Sequence, residues 1–326
     1  MPVGTQNWQR GDASRWAPWG GWITGEENWS PSSVAVEATG RLFEVTNPTT
    51  ATEGTGNLVQ RNNVIPRVSH EGLAFDSQKS FFIDENSSGS FYKFVCEPEC
   101  QQRRRLLRRW HTMHSRSART NNASAAGAFT WEALDPFNTN GRSAADNVGA
   151  TAYNRPEDME VKTLGNGDEA IMFTATGTHD VWTVNLTQNT INQFVSRDTI
   201  DIATGVAVGS ALASPDNLAI DADGNIYIVE DQPTPSADIW LAKDTDNDGV
   251  AEYVQRWAAM QVTGAEPTGL FFDPYQPNVA YVNIQHPDSL NDRLVQITAA
   301  VPEPETYAMM LAGLGLIGAF ARRRRG

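Results

Sequence analysis

Carboxylates recur in this chain at one kind of place, the approach to an apolar, strand-forming run. Glu26 and Glu27 follow Pro18-Trp19-Gly20-Gly21-Trp22-Ile23-Thr24-Gly25. Glu71 stands in His70-Glu71, Glu157 in Arg155-Pro156-Glu157-Asp158, Asp216 in Pro215-Asp216-Asn217, and Glu266 in Gly264-Ala265-Glu266-Pro267. Gathered at one place, such groups would repel one another severely unless cations neutralised them. Hard oxygen ligands suit calcium. The competing reading is that each acid caps a turn or bonds to a strand edge. Neighbouring strand residues face opposite ways, so only one of Glu26 and Glu27 can point inward, and Glu27 is the one expected there.

A second, local signal is Asp244-Thr245-Asp246-Asn247-Asp248-Gly249-Val250-Ala251-Glu252. Asp244, Asp246 and Asp248 occupy loop positions one, three and five, with glycine at six and an acid at nine, a spacing that wraps calcium. A full EF-hand needs a glutamate at position twelve, where this chain has Gln255, and no helical pattern precedes the loop. An exposed calcium loop of modest affinity is therefore expected. An Asp-rich turn between strands is the alternative.

The elements that must carry these groups repeat. Gly72–Asp76 leads into Ser80–Glu85, Asn217–Asp221 through Ala222-Asp223-Gly224-Asn225 into Ile226–Asp231, and Thr268–Pro274 into Ala280–Asn283. Each is an apolar strand, an Asp/Gly turn and a strand of alternating apolar residues. Phe91–Val95, Asp180–Val184 and Ala237–Leu241 read as closing strands. A unit recurring every 40 to 60 residues or so predicts an all-β chain folded as a β-propeller. The first strand of each blade then lines the channel, and the acids before those strands collect at one mouth.

Of the 326 residues, 39 are Asp or Glu and 25 Lys or Arg, for a net charge of −14. Seven arginines lie between Arg103 and Arg119 and four more in Arg322–Arg325, so the rest of the chain is strongly acidic. That opposes nucleic-acid binding and favours divalent cations. The run Gln101–Arg109 reads as a solvated or anion-binding helix, or as a compensated frameshift across residues 96–120. Shifting that frame by one nucleotide allows an ordinary loop sequence, and the segment as written is expected to be disordered. Resequencing that finds no insertion or deletion there would dispose of the frameshift. Cys96 and Cys100 fall in the same stretch and say nothing about redox compartment.

The motifs Trp19–Asn28, Gly40–Val45, His70–Asp76, Arg155–Asp158, Ser214–Leu218, Gly264–Gly269 and Asn283–Pro287 occur in the order found in PhoX-type alkaline phosphatases. The resemblance spans roughly Trp16 to Ile297. It implies a six-bladed propeller whose channel holds calcium ions and an iron centre and which hydrolyses phosphate monoesters. Calcium would fall to Glu27, Glu71, Glu157, Asp216 and Glu266, with Arg155 and His286 contacting phosphate. For His70 and His286 a structural hydrogen bond competes with catalysis. Two departures stand out. Gly25 occupies the place where a cysteine often precedes the paired glutamates, which puts iron in doubt, and family members carry further sequence before the first tryptophan motif, so the propeller is expected to be incomplete.

The last residues carry a separate message. Val301-Pro302-Glu303-Pro304-Glu305-Thr306 precedes an apolar run from Tyr307 to Ala321, then Arg322, Arg323, Arg324, Arg325 and Gly326. The order of Pro-Glu-Pro, short hydrophobic helix and arginines resembles the PEP-CTERM sorting signal of Gram-negative bacteria, which an exosortase is thought to cut. A plain tail anchor shares the topology, with the arginines held inside and the body outside. Domain boundaries follow, 1–300 for the propeller and 301–326 for the signal. No signal-peptide pattern lies within Met1–Trp19, so a truncated gene start is expected, with the Sec machinery a partner if a signal peptide lies upstream.

The combined reading is an exported, calcium-binding, PhoX-like propeller protein that acts on phosphate monoesters. After transient inner-membrane anchoring it would reach the cell surface or extracellular matrix. The rival is a non-catalytic surface scaffold that keeps the calcium framework without iron. A lactonase-like esterase propeller would also use channel calcium but lacks the ordered motifs.

Overall fold

The computed structural model describes residues 9–30, 39–61, 67–75, 79–95, 110–115, 126–134, 140–231, 236–287 and 291–299. Blade one is β1 (Gly11–Trp16), β2 (Trp22–Glu26), β3 (Leu42–Val45) and β4 (Leu58–Gln60). Blade two is β5 (His70–Phe75), β6 (Lys79–Asp84), β7 (Phe91–Val95), β8 (Trp110–Ser115) and β9 (Gly127–Leu134), followed by the helix α1 (Gly141–Val148). Blade three is β10 (Pro156–Thr163), β11 (Glu169–Ala175), β12 (Asp180–Asn185) and β13 (Thr190–Val195), and β13 pairs with β9 at the rim. A short hairpin, β14 (Ile200–Asp201) and β15 (Val206–Ala207), extends the outer edge of blade four. That blade is β16 (Pro215–Ile220), β17 (Ile226–Glu230), β18 (Asp238–Lys243) and β19 (Tyr253–Ala259). Blade five has β20 (Glu266–Phe272), β21 (Val279–Gln285) and β22 (Arg293–Thr298).

The fold is the all-β propeller that the repeats predict, with five blades among the described residues, the second and third joined in one nine-stranded sheet, against the six that the resemblance implies. Strand pairing within each blade is antiparallel. The innermost strands follow one another, β1 beside β5, β5 beside β10, β10 beside β16 and β16 beside β20. Alternation along a strand sends successive side chains into successive interblade layers. Phe82 packs toward blade one, while Phe81 and Ile83 pack toward blade three. Ile228 joins Phe194 and Trp240 between blades three and four, while Tyr227 and Val229 join Leu270 and Val282 between blades four and five. A sheet buried on both faces needs apolar residues at nearly every position, which is why IYIVE in β17 is buried throughout.

Within 96–120, Trp110–Ser115 form a strand paired on both sides, and the remaining residues lie outside the described ones, as do Cys96 and Cys100. The residues of the sorting signal, 301–326, also lie outside them. Among the described residues, no helix is long and apolar enough to cross a membrane.

Candidate metal centre

Four of the five inner strands start with an irregularity at the residue that carries the acid; in β20 the register shift falls later, between Thr268 and Phe271. The register against the second strand shifts between Gly11 and Ser14, His70 and Leu73, Pro156 and Met159, and Pro215 and Asn217. Those bulges contain Asp12, Glu71, Glu157 and Asp216. A bulge re-aims a side chain out of the alternation that would otherwise bury it between blades. Three of these strands are entered through a non-glycine residue in the left-handed region, Arg10 at φ 47°, Arg155 at φ 53° and Ser214 at φ 46°. Such strain persists where the surroundings over-determine it, as functional mouths do.

The re-aimed acids meet. Asp12, Glu27 and Glu71 each offer an oxygen within 4.8 Å of the others, and Glu71, Glu157 and Asp216 do the same. Glu71 belongs to both groups, so they form one continuous centre. Four expected ligands, Glu27, Glu71, Glu157 and Asp216, are thus brought together. Asp12 was missed, although Arg10-Gly11-Asp12 has the same build as Arg155-Pro156-Glu157.

Glu266 opens β20 but belongs to neither group; its carboxyl is raised by burial and then by Asp231, and is lowered by His286. The His286 backbone N–H donates to Asp292 Oδ1 at 3.1 Å. Arg155 stands beside the centre, with Nη2 3.1 Å from Glu157 Oε1 and 3.8 Å from Asp231 Oδ2, and Nε donating to Glu85 Oε1 at 2.8 Å. Asp158 turns away and stitches blades together, accepting from Leu218 N at 3.0 Å and lying 3.6 Å from Arg15.

The residue before each mouth position at the end of the second strand does different work. Glu26 accepts from the backbone of Gln9 and Arg41 and pairs with the Arg41 guanidinium, Nε at 2.8 Å. Asp84 accepts from Ser69 N at 2.9 Å and from Arg142 Nε at 2.8 Å. Glu230 accepts from Ala213 N, Asp238 N and Trp240 Nε1. These buried acids clasp the segment entering the inner strand. Their successors, Glu27, Glu85 and Asp231, are less buried. Glu27, the expected ligand, offers an oxygen to the first group, whereas Glu26 is in neither group.

Burial crowds negative charge at the centre. Glu71 is pushed well above the usual carboxylate range by burial and then by Asp12, Glu157 and Asp216. Burial raises Glu157 to about 7 against the pull of Arg155, and lost hydration followed by Glu27 raises Asp12 to about 6. Asp216 is also driven well up, by burial and then by Glu157. Glu71 Oε2 and Glu157 Oε2 are buried without a hydrogen-bond partner, and Glu157 Oε1 faces the Arg155 guanidinium at 3.1 Å. Native structures rarely leave buried carboxylate oxygens so placed, and an oxygen-only donor set suits a hard divalent cation. The residues fit calcium.

They do not fit an iron-binding cysteine at position 25. A Cβ on Gly25 would stand 2.4 Å from His70 Cβ. His70 itself is fully buried beside Phe82, and burial, outweighing a backbone contact with Gly40, lowers its pKa to about 3, so the ring is neutral.

The second expected site lies at the other end of β10. Asp244, Asp246 and Glu252 offer oxygens within 4.8 Å of one another. Asp248 is not in this group; its Oδ1 accepts from Val250 N at 2.9 Å. Lys162 Nζ already sits 2.9 Å from Asp244 Oδ2. Asn247 Nδ2 donates to Thr163 O and Gly165 N to Asn247 O, so the loop joins blade four to blade three.

The sequence pattern of the alkaline phosphatase PhoX family matches residues 13–288. The PEP-CTERM protein-sorting motif matches residues 300–325. Among solved structures, Pseudomonas fluorescens PhoX in complex with vanadate, a transition-state analogue, superposes with a TM-score of 0.64 at 17% identity, over 88% of this chain and 69% of that one. At that identity the likeness concerns the fold. A calcium-binding regucalcin from Agrobacterium tumefaciens aligns over 85% of this chain and 83% of its own, at 12% identity and a TM-score of only 0.32. No curated protein sequence matches.

Proposed function

The chain belongs to the PhoX alkaline phosphatase family, and from that premise we propose that it hydrolyses phosphate monoesters with calcium held by the carboxylates around Glu71. The observation that carries this reading is the double cluster, in which Glu71 offers oxygens to two sets of ligands and Glu71 Oε2 and Glu157 Oε2 are buried without a hydrogen-bond partner. Asp12, Glu27, Glu71, Glu157 and Asp216 would hold the cation. Bound there, calcium would offset the phosphate charge and stabilise the charge that develops during transfer. Arg155 is the fixed cation at the rim. Its pKa is raised despite the opposing effect of burial, chiefly by Glu157, so it stays charged and can orient phosphoryl oxygens through paired N–H groups. Glu266 and His286 flank the approach from blade five.

No step is assigned to iron, because Gly25 and His70 leave a cysteine no room. That same contact favours the second reading, a calcium-bearing surface scaffold without catalysis. The PEP-CTERM motif marks the chain for export and exosortase sorting. Secretion through the Sec route and residence on a Gram-negative surface or in its matrix extend that reading.

The test is turnover of p-nitrophenyl phosphate by the purified protein under calcium, calcium with iron, and chelator. Hydrolysis that chelator abolishes, and that Glu71→Gln lowers at least a hundredfold, is the expected result. A folded, calcium-loaded protein with no turnover overturns the enzyme and leaves the scaffold.

A further inference from the structure

One hydroxyl joins the two bulges that carry Glu157 and Asp216. Thr174 Oγ1, on β11, accepts from Asp158 N at 3.1 Å and donates to Asp216 O at 2.5 Å. Asp158 closes the circuit from the other side, its Oδ2 accepting from Leu218 N at 3.0 Å. Two residues on, Thr176 Oγ1 donates to Pro215 O at 2.7 Å, and Thr176 N to Arg155 O at 2.9 Å. Both threonines are buried.

The strand register shows that this hydroxyl is particular to the boundary between blades three and four. Opposite the first residue of the inner strand stand Asp84 in blade two, Ala175 in blade three and Glu230 in blade four. The preceding positions are Ile83, Thr174 and Val229. A β-branched side chain suits a strand at all three, but only the hydroxyl needs partners once buried. Thr174 finds them in the backbones of two neighbouring bulges, using one lone pair and its proton. The spacing of Glu157 and Asp216, whose oxygens meet those of Glu71 within 4.8 Å, is thereby tied to a single side chain. Spacing discriminates between ions, because calcium takes its oxygens at roughly 2.3–2.6 Å and magnesium at roughly 2.0–2.1 Å. A frame that cannot contract favours the larger ion.

We propose that Thr174 is a positioning residue that holds the Glu157 and Asp216 bulges at a separation suited to calcium, and so sets the preference of the centre for calcium over magnesium. This rests on the calcium reading given above. Full-length protein and its Thr174→Val and Thr174→Ser variants are titrated calorimetrically with calcium and with magnesium, all carrying Asp246→Asn to silence the blade-four loop. Valine keeps the shape and removes both bonds, whereas serine keeps the hydroxyl. Thr174→Val is expected to bind calcium about tenfold more weakly, the scale of a lost outer-shell partner, with magnesium little changed, and Thr174→Ser to restore most of the loss. Protein that is merely destabilised would bind fewer equivalents at an unchanged Kd. In a Glu157→Gln background the valine change should have little further effect, since the spacing it releases no longer involves a second carboxylate.

Thr174→Ala, in which water can reach the two backbone groups, replaces a valine variant that does not fold, with the same shift expected. A parent that binds calcium and a valine or alanine variant that keeps the same preference overturn the proposal and leave the calcium reading standing. A parent that takes up no calcium overturns both.

Discussion

Arg155 Nη2 stands 3.1 Å from Glu157 Oε1, so the first acid of blade three and the cation beside it come from a single Arg-Pro-Glu triplet. Arg155 enters β10 with a left-handed φ of 53°. Arg155→Ala should lower kcat/KM for a phosphate monoester roughly a hundredfold, the scale of a lost charge-assisted stabiliser of the transition state. Arg155→Lys should recover only part, because a point charge cannot keep both Glu85 and a phosphoryl oxygen in a planar fork. Steady-state kinetics with calcium saturating reads this directly, and equal rates for all three proteins would remove Arg155 from the mechanism.

Glu26 and Glu27 are neighbours with opposite duties. Glu26 is fully buried against Arg41, which is only 10% exposed, and losing one partner of a buried pair costs about 3–5 kcal/mol. Glu26→Ala should therefore unfold at markedly lower urea, with or without calcium. Glu27→Gln removes one of several repelling carboxylates. In chelator it should be as stable as wild type or slightly more so, while its calcium affinity drops. Urea melts with and without calcium separate the two, and a Glu26 variant that is weakened only in the presence of calcium would reverse the assignment.

Much of this was legible in the sequence, for reasons that also explain the gaps. Strands such as Ile226–Glu230 announce themselves because burial on both faces demands a continuous apolar run. Glu71 and Asp216 could be found because histidine or proline marks the entry to an apolar strand, and Glu157 because Arg155-Pro156-Glu157-Asp158 stands out as a motif ahead of the mostly polar PEDMEVKT strand. Asp12 could not, since GDASRW has almost no apolar signal, and only the analogy between Arg10-Gly11-Asp12 and Arg155-Pro156-Glu157 points to it. The clasp formed by Glu230 is equally silent. Its donors, Ala213, Asp238 and Trp240, are ordinary residues that only the closed blade brings near. Asp248 fitted a spacing rule, yet the backbone spends it on the turn and Glu252 completes the group instead.

Glu230 supplies a pH dependence away from the metal centre. Burial raises its pKa to about 7 against three donors that pull the other way. The unfolded value is near 4.5, so between about pH 4.5 and 7 the folded state binds more protons. The stabilisation is complete below pH 4.5 and fades as pH rises through 7. With calcium saturating, wild-type stability should fall by roughly 1–3 kcal/mol across that window through this group. Glu230→Gln should flatten that part of the slope while lowering overall stability, because its amide opposes the three N–H donors. Chemical denaturation at pH 5, 6, 7 and 8 measures both effects, and an unchanged slope in the variant would show that Glu230 does not titrate there.

Gly25 and His70 make a further contact that can be tested in both directions. Restoring a cysteine by Gly25→Cys forces a side chain into the 2.4 Å that separates the site from His70 Cβ, and overpacking of this kind costs about 1–3 kcal/mol. The single variant should melt lower and bind no iron. Combining it with His70→Gly removes the obstructing carbon and should restore part of the lost stability, compared with the His70→Gly background. Iron content and thermal melts of the three variants decide it, and a Gly25→Cys protein as stable as wild type would show that the two strands part easily.

Lys162 and Asp244 make the blade-four loop a site that already contains a cation. Lys162 Nζ is 2.9 Å from Asp244 Oδ2, and the two side chains are 8% and 1% exposed. An ammonium so close to the cluster repels an entering divalent ion, yet it also holds Asp244 folded against Asp248 N and Gly249 N in the ion's absence. Lys162→Met keeps the length of the stem and removes the charge. Without calcium the variant should be less stable by about 3 kcal/mol, since Asp244 is left buried without its partner. With calcium the deficit should shrink, and the loop should bind the ion at least tenfold more tightly than in wild type. Asp246→Asn or Glu252→Gln should cancel that gain, whereas Asp248→Asn should leave most of it, because Asp248 stands outside the group. Calorimetric titration of the Lys162→Met background with and without each second change reads all four outcomes. A gain that disappears with Asp248 but survives loss of Glu252 would restore the spacing rule and refute the arrangement seen here.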